Sequence, residues 1–130
     1  MSDCPCGSGL PYPSCCGKYH SGALPDKAEA LMRSRYSAYA KGLVEYIIET
    51  TDPSGPHFTE DLAAWRASIL DFCRSTTFGK LEVIDQNQGL ERATVSFVAT
   101  LRQGGELSYL TEKSVFFRRQ GRWLYHSAKQ

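Results

Sequence analysis

Four of the chain's five cysteines fall between residues 4 and 16, in the stretch CPCGSGLPYPSCC. A Gly/Pro-rich segment of that length has too little apolar surface to fold by burial alone, so a ligand or cross-link must hold it. Cys4, Cys6, Cys15 and Cys16 have the composition of a closed tetrahedral metal site. Zinc takes four sulfur or nitrogen ligands at about 2.0–2.3 Å and, in a structural site, keeps no open position. A disulfide framework is one alternative, and it implies an oxidising compartment. Residues 1–20 carry neither the basic start nor the apolar run of an export signal, which argues against that compartment. A bridge between adjacent Cys15 and Cys16 is also strained, since neighbouring Cα atoms lie about 3.8 Å apart and disulfides prefer about 4.4–6.8 Å. Unliganded thiols are the other alternative. The sequence favours zinc over both. His20 is a substitute ligand candidate, whereas Cys73, with Ile69 and Phe72 at helical spacing, reads as a buried core thiol.

With 130 residues, 42% of them hydrophobic, the chain is long enough for one ordinary domain carrying a small appendage. The appendage takes residues 1–22 as a zinc module, and residues 23–130 form the main domain. Fifteen lysines and arginines against fourteen acidic residues leave no global field to attract nucleic acid or a membrane surface. No apolar run approaches the ~20 residues that span a bilayer. The expected compartment is the cytoplasm.

Asp26 with Glu29 three residues later resembles a capping box ahead of Leu31, Met32, Tyr36 and Tyr39. It predicts a helix over about residues 26–41, stopped by Gly42. A shorter helical stretch follows from Leu43 and ends before Asp52-Pro53, where DPSGPHF reads as a loop. Leu62, Trp65, Ile69 and Phe72 recur at helical spacing and predict a third helix over about residues 59–76. After Gly79 the period becomes two. Leu81 and Val83 mark a first strand, and Val95, Phe97, Ala99 and Leu101 a second. A third runs from about Glu106 to Arg119, and a fourth carries Trp123 and Tyr125. Turn signals between them describe an antiparallel meander. The expected fold is α+β, with N-terminal helices packed on a curved antiparallel four-stranded sheet.

The N-terminal stretch resembles the SEC-C motif, a zinc module first associated with the SecA translocation ATPase. The resemblance rests on Cys4-Pro5-Cys6-Gly7-Ser8-Gly9, Tyr12 and Cys15-Cys16-Gly17, with Leu10-Pro11 where a basic pair is usual. It implies that all four thiolates are ligands of a structural zinc, and that the module acts as an interaction element for a protein partner. The remainder resembles the YchJ family, whose main domain is similar to nuclear transport factor 2 and its cone-shaped relatives. LMRSRYSAYAKG at residues 31–42, Glu112-x-Ser114-x-Phe116 and Gly121-Arg122-Trp123-x-Tyr125 carry that resemblance. Thr51-Asp52 stands where the family has tryptophan-histidine, and Phe78 lies near the place of another family tryptophan.

Arg33 and Arg35 are two residues apart on a helix, so they point about 200° from one another and cannot share a face. One of them projects toward the sheet, where a carboxylate must meet it. Glu112 is the candidate, because Leu110, Glu112, Ser114 and Phe116 share one face of the third strand and suggest a partly polar concavity. On one reading an Arg–Glu pair pins the first helix to the sheet, with the tyrosines as core. On the other, Arg33, Arg35, Tyr36, Tyr39, Glu112 and Ser114 line a pocket for an unknown small-molecule ligand, an arginine binding its anion. The sequence favours the pinning pair. An enzyme acting on a small molecule through Glu112 and an arginine is the alternative function. His57 and His126 read as surface residues, and Trp65 and Trp123 as packing. Arg118, Arg119 and Arg122 flank a hairpin turn and make no nucleic-acid stripe. Cys-x-Cys and Cys-Cys suit ligation better than thiol redox chemistry. The open sheet face makes a homodimer a further expectation.

Overall fold

The computed structural model describes residues 4–129; residues 1–3 and 130 of the two expected ranges lie outside the described residues. The described residues open with a tight turn in which the Gly7 amide donates to the Cys4 carbonyl at 3.1 Å. Gly7 sits at φ 80°, a left-handed conformation that side chains disfavour. A 3₁₀ turn at Tyr12–Ser14 leads into helix α1, Cys16–His20. A Cβ at Gly17 would lie 2.7 Å from the Tyr12 carbonyl oxygen, so only glycine lets α1 fold back on that turn.

Helix α2 spans Ala28–Lys41 and ends at Gly42, which is left-handed at φ 72°. The expected Asp26–Glu29 capping box does not form. The N-cap position is Lys27, and no side chain of the first turn caps the helix. A tertiary partner replaces the local cap: the Ala28 amide donates to Gln88 Oε1 at 3.1 Å, while the Asp26 carbonyl ahead of the helix accepts from Trp123 Nε1 at 3.2 Å. Helix α3 is Val44–Glu49, and α4 is Leu62–Ser75, capped by Asp61 Oδ1 on the Ala64 amide.

Helix α4 passes straight into strand β1, Thr76–Gln88, with no intervening loop. The strand therefore starts before Gly79, where the sequence pattern places it. Thr76, Thr77 and Phe78, β-branched and aromatic, pair with Gln103, Arg102 and Leu101 of β2, Arg92–Gln103. Strands β3, Glu106–Arg119, and β4, Arg122–Lys129, complete an antiparallel sheet of order β1-β2-β3-β4. Register shifts in β1 and between Val115 and Phe116 bend it around the helices. As the sequence predicts, the fold is α+β with the helices on one face of a four-stranded antiparallel meander.

The main core joins Leu31, Met32 and Tyr36 of α2 to Leu81, Val95, Phe97, Leu101, Phe116 and Trp123 of the sheet. A second cluster, built on Ala38, Ile47 and Ile69, holds α2, α3 and α4 together and includes the half-buried Trp65 and Cys73. Val95 faces Ser114 and Phe97 faces Glu112 across β2 and β3, which sets two polar side chains among the apolar ones of the concave face.

Candidate functional site

The Sγ atoms of Cys4, Cys6, Cys15 and Cys16 all lie within 4.8 Å of one another. Those of Cys6 and Cys15 are 3.6 Å apart. Tetrahedral metal–thiolate bonds of about 2.3 Å place sulfurs about 3.8 Å apart, so the donor set has the right size for one ion. Ser8 Oγ lies 3.1 Å from the Cys15 sulfur and Ser37 Oγ 3.3 Å from that of Cys4, positions from which hydroxyls donate to thiolates. Hydrogen bonding from Cys16 draws the Cys6 thiol down to about 4, against the effect of burial. The same hydrogen bond and burial push Cys16 up. Deprotonating all four thiols gathers negative charge that a bound cation would offset. These four residues could hold a metal ion.

His20 is not a fifth donor. Its Nε2 donates to the Ser34 carbonyl at 2.8 Å, which leaves Nδ1 to accept the Tyr12 hydroxyl at 2.6 Å. Its ring also packs edge-on against Tyr46, with centroids 4.7 Å apart. Burial lowers its pKa from the ordinary value. His20 is a strut between the module and α2. Cys73, on α4, packs in the helix cluster rather than with the other four thiols.

Arg33 belongs to this strut as well, and its assignment to a pocket is corrected. Its Nη1 donates to the Cys6 carbonyl at 3.0 Å and its Nε to Glu29 at 3.0 Å. The two-residue offset from Arg35 turns it to the module side of α2. One helix therefore carries both sites, with Ser37, Ser34 and Arg33 toward the cysteines and Arg35, Tyr36 and Tyr39 toward the sheet.

Between α2 and the sheet lies a cavity of about 320 Å³. Met32, Arg35, Tyr36 and Tyr39 form its roof, and Trp65 and Phe72 of α4 close one side. Phe78, Phe97, Leu101 and Phe116 make an apolar floor, into which Glu112 and Ser114 of β3 and Tyr125 of β4 project. The exposed His57 and Leu110 mark its mouth.

Arg35 is 8% exposed. Its Nη1 donates to the Ile47 carbonyl at 3.0 Å and to the hydroxyls of Thr50 at 2.7 Å and Thr51 at 3.2 Å. Its guanidinium carbon stands 4.6 Å from the centroid of the Tyr125 ring. Glu112 does not pair with it. Glu112 Oε2 accepts from Ser114 Oγ at 2.6 Å and from the Tyr125 hydroxyl at 3.3 Å. The expected Arg–Glu pin is therefore absent among the described residues. Apolar packing holds α2 on the sheet together with a hydrogen bond from the Tyr36 hydroxyl to the Gly79 carbonyl at 2.7 Å. Burial depresses the Arg35 pKa, pushes Tyr36 up to about 12, and raises Tyr125, helped by the nearby Glu112 charge.

Several cavity residues escape a reading of the sequence. Thr51 lines the cavity, and it and Thr50, just beyond α3, accept hydrogen bonds from Arg35, a role that no spacing in the sequence announces. Trp65 and Tyr125 look like core in periodicity and line the cavity wall, because a periodic apolar face is the same signal for either role. Thr51 also forms a parallel bridge with Tyr125, so the loop after α3 closes on β4. Asp52, next along, is buried and paired with Arg119 at 2.9 Å.

Among the described residues, no helix is long and apolar enough to cross a membrane. The family profile described as YchJ, middle NTF2-like domain, matches residues 27–128. A UPF0225 protein of Serratia proteamaculans is 41% identical over 127 residues, covering 94% of this chain and 79% of the relative. One from Bordetella pertussis is 41% identical over 130 residues, covering 94% and 88%. The solution structure of a SEC-C motif containing protein from Rhodopseudomonas palustris superposes with a TM-score of 0.86 at 34% identity, covering 98% of each chain. A SEC-C motif containing protein from Psychrobacter arcticus gives 0.81 at 26% identity, covering 100% of this chain and 84% of its own.

Proposed function

The chain belongs to the YchJ family, and from that premise we propose that it is a cytoplasmic binding protein: a structural zinc holds its N-terminal module, and its main domain takes a small molecule. The observation that carries the proposal is the cavity, where Arg35 and Glu112 stand without a salt bridge between them in otherwise apolar walls. A buried charge left without a counter-ion is unfavourable for a purely structural residue and useful to a binding site.

Zinc is the fitting ion because four thiolates at tetrahedral spacing select a soft, four-coordinate cation and leave no place for substrate. When bound, it supplies folding energy to the first twenty residues and no reaction step. A reducing compartment keeps the thiols available to it. The companion reading, that the module docks a protein partner, rests on the chain's likeness to SEC-C motif containing proteins. The enzyme alternative is weaker. Glu112 has hydroxyl partners, but the buried carboxylate of Asp52 is already engaged by Ser54 and Arg119.

Two measurements test this. Metal analysis of purified protein is expected to find one equivalent of zinc, and chelation to release residues 4–22 from order. Toluene, a neutral apolar probe, is expected to shift the ring resonances of Phe78, Phe97 and Phe116; no shift at millimolar toluene refutes the cavity as a binding site.

A further inference from the structure

We propose that the ligand is a small organic acid with a hydrogen-bond donor beside its carboxylate, an α-hydroxy or α-amino acid on an apolar body, the carboxylate held by Arg35 and the donor by Glu112. This rests on the cavity reading above and names the chemistry of that site.

A guanidinium has five N–H donors. The two on Arg35 Nη1 are shared among three neutral oxygens, and no carboxylate lies within 4.0 Å of this arginine among the described residues. Nε and Nη2 have no acceptor among the described residues. No fully buried side-chain nitrogen or oxygen is left unpartnered, so both are open to a solvent-sized guest. Arg35 itself lines the cavity. Nε and Nη2 form the side-on fork that grips a carboxylate through two parallel hydrogen bonds. The residue is more than nine-tenths buried, so its charge is largely desolvated and has no carboxylate counter-ion among the described residues.

Glu112 supplies the second half. Both of its hydrogen bonds fall on Oε2, and Oε1 accepts none among the described residues. Tyr125 spaces the two groups, its ring face under Arg35 and its hydroxyl on Glu112. A lone carboxylate at Arg35 would meet the Glu112 charge, whereas an adjacent hydroxyl or ammonium turns that repulsion into a hydrogen bond. The rest of the lining is Phe72, Phe78, Phe97 and Leu101, which suits an aromatic or branched body. At ~30 Å³ per water-sized group, 320 Å³ holds about ten such groups, the size of a phenyl ring with a three-carbon acid.

The test is a titration of the zinc-loaded full chain with 3-phenyllactate, phenylalanine, 3-phenylpropionate and 3-phenylpropionamide. Shifts of the Arg35 Nε–H resonance report the contact. At least one of the first two is expected to bind about tenfold more tightly than 3-phenylpropionate, and that acid about tenfold more tightly than its amide. Which of phenyllactate and phenylalanine leads separates hydroxy acids from amino acids. An amide that binds as well as the acids overturns the Arg35 assignment. Equal affinity of 3-phenylpropionate and both donor-bearing acids overturns the Glu112 assignment. If no acid binds while toluene still enters, the ligand class is wrong and the cavity stands; if toluene fails too, both fall. Arg35→Met is expected to abolish the acid-over-amide preference while toluene binding persists, and retention of that preference overturns the proposal without reference to the wild-type series.

Discussion

Replacing Arg35 by methionine removes a buried charge while keeping an unbranched side chain of similar reach, and we expect it to change stability very little. On the loss side, Nη1 has two hydrogens to divide among the Ile47 carbonyl and the Thr50 and Thr51 hydroxyls. Two charge-assisted hydrogen bonds at ~1.5–3 kcal/mol each amount to ~3–6 kcal/mol. The acceptors are not orphaned by the change. Thr51 Oγ1 still donates to the Ile47 carbonyl at 2.7 Å, and Thr50 Oγ1 still donates to the Tyr46 carbonyl at 2.7 Å. On the gain side, a guanidinium without a carboxylate partner carries a desolvation penalty of several kcal/mol, which methionine relieves. The two sides cancel to within about 2 kcal/mol. Urea unfolding with saturating zinc reads the difference; at a slope of ~1–3 kcal/mol per molar, the midpoint moves by no more than about 2 M in either direction. A loss above about 4 kcal/mol refutes the reasoning and makes Arg35 a structural keystone rather than a ligand anchor.

Three further outcomes are expected. Cys6→Ser should take zinc well below one equivalent and release the amides of residues 4–22 to exchange, while β2 and β3 stay protected; loss of protection across the sheet would show that the module holds the whole domain. Trp123, 1% exposed, donates to the Asp26 carbonyl, so Trp123→Phe should cost about 1–3 kcal/mol through the orphaned acceptor and the space left behind. Differential unfolding checks this, and a change under about 0.5 kcal/mol would count against the Trp123 bond as a tie between β4 and the segment leading into α2. Burial pushes the Asp52 carboxyl up, but hydrogen bonds from Ser54 and Arg119 outweigh it and hold it below the usual carboxylate range. The unfolded chain therefore takes up that proton first, so the contribution is complete above about pH 4 and fades as pH falls through the lower folded value. Urea midpoints at about pH 5 and about pH 3 should converge between wild type and Asp52→Asn at the lower pH, and a constant gap would contradict the assignment.

Much of the fold is legible in short-range pattern. The period-two run Val95, Phe97, Ala99 and Leu101 becomes the buried face of β2, and Leu110, Glu112, Ser114 and Phe116 share the concave face of β3 because side chains alternate whatever the partner strand is. Local signals fail where a distant partner competes with them. Asp26 has the sequence of a cap, yet Gln88, sixty positions beyond Ala28, serves the helix end, and the backbone carbonyl of Asp26 is held separately by Trp123. Gly79 looks like a strand boundary, yet pairing with β2 extends the strand back to Thr76. The arginines show both outcomes. Their opposite facing follows from helix geometry alone, but the acceptors each would find depend on elements that the spacing says nothing about.

The sequence by itself determined the thiol cluster, since four cysteines within thirteen positions must meet wherever the glycines let the chain turn. It also determined the helices-then-strands order and the apolar faces, because periodicity is a property of each element alone. Only the tertiary structure decided that the module is braced on α2 through His20, Arg33 and Ser37, and that Arg35 and Glu112 enter one cavity without pairing. The physical reason is range. Backbone periodicity acts within a few residues, whereas the distance between two charges on α2 and β3 is set by how far the bulged sheet curves and by the tyrosine that stands between them.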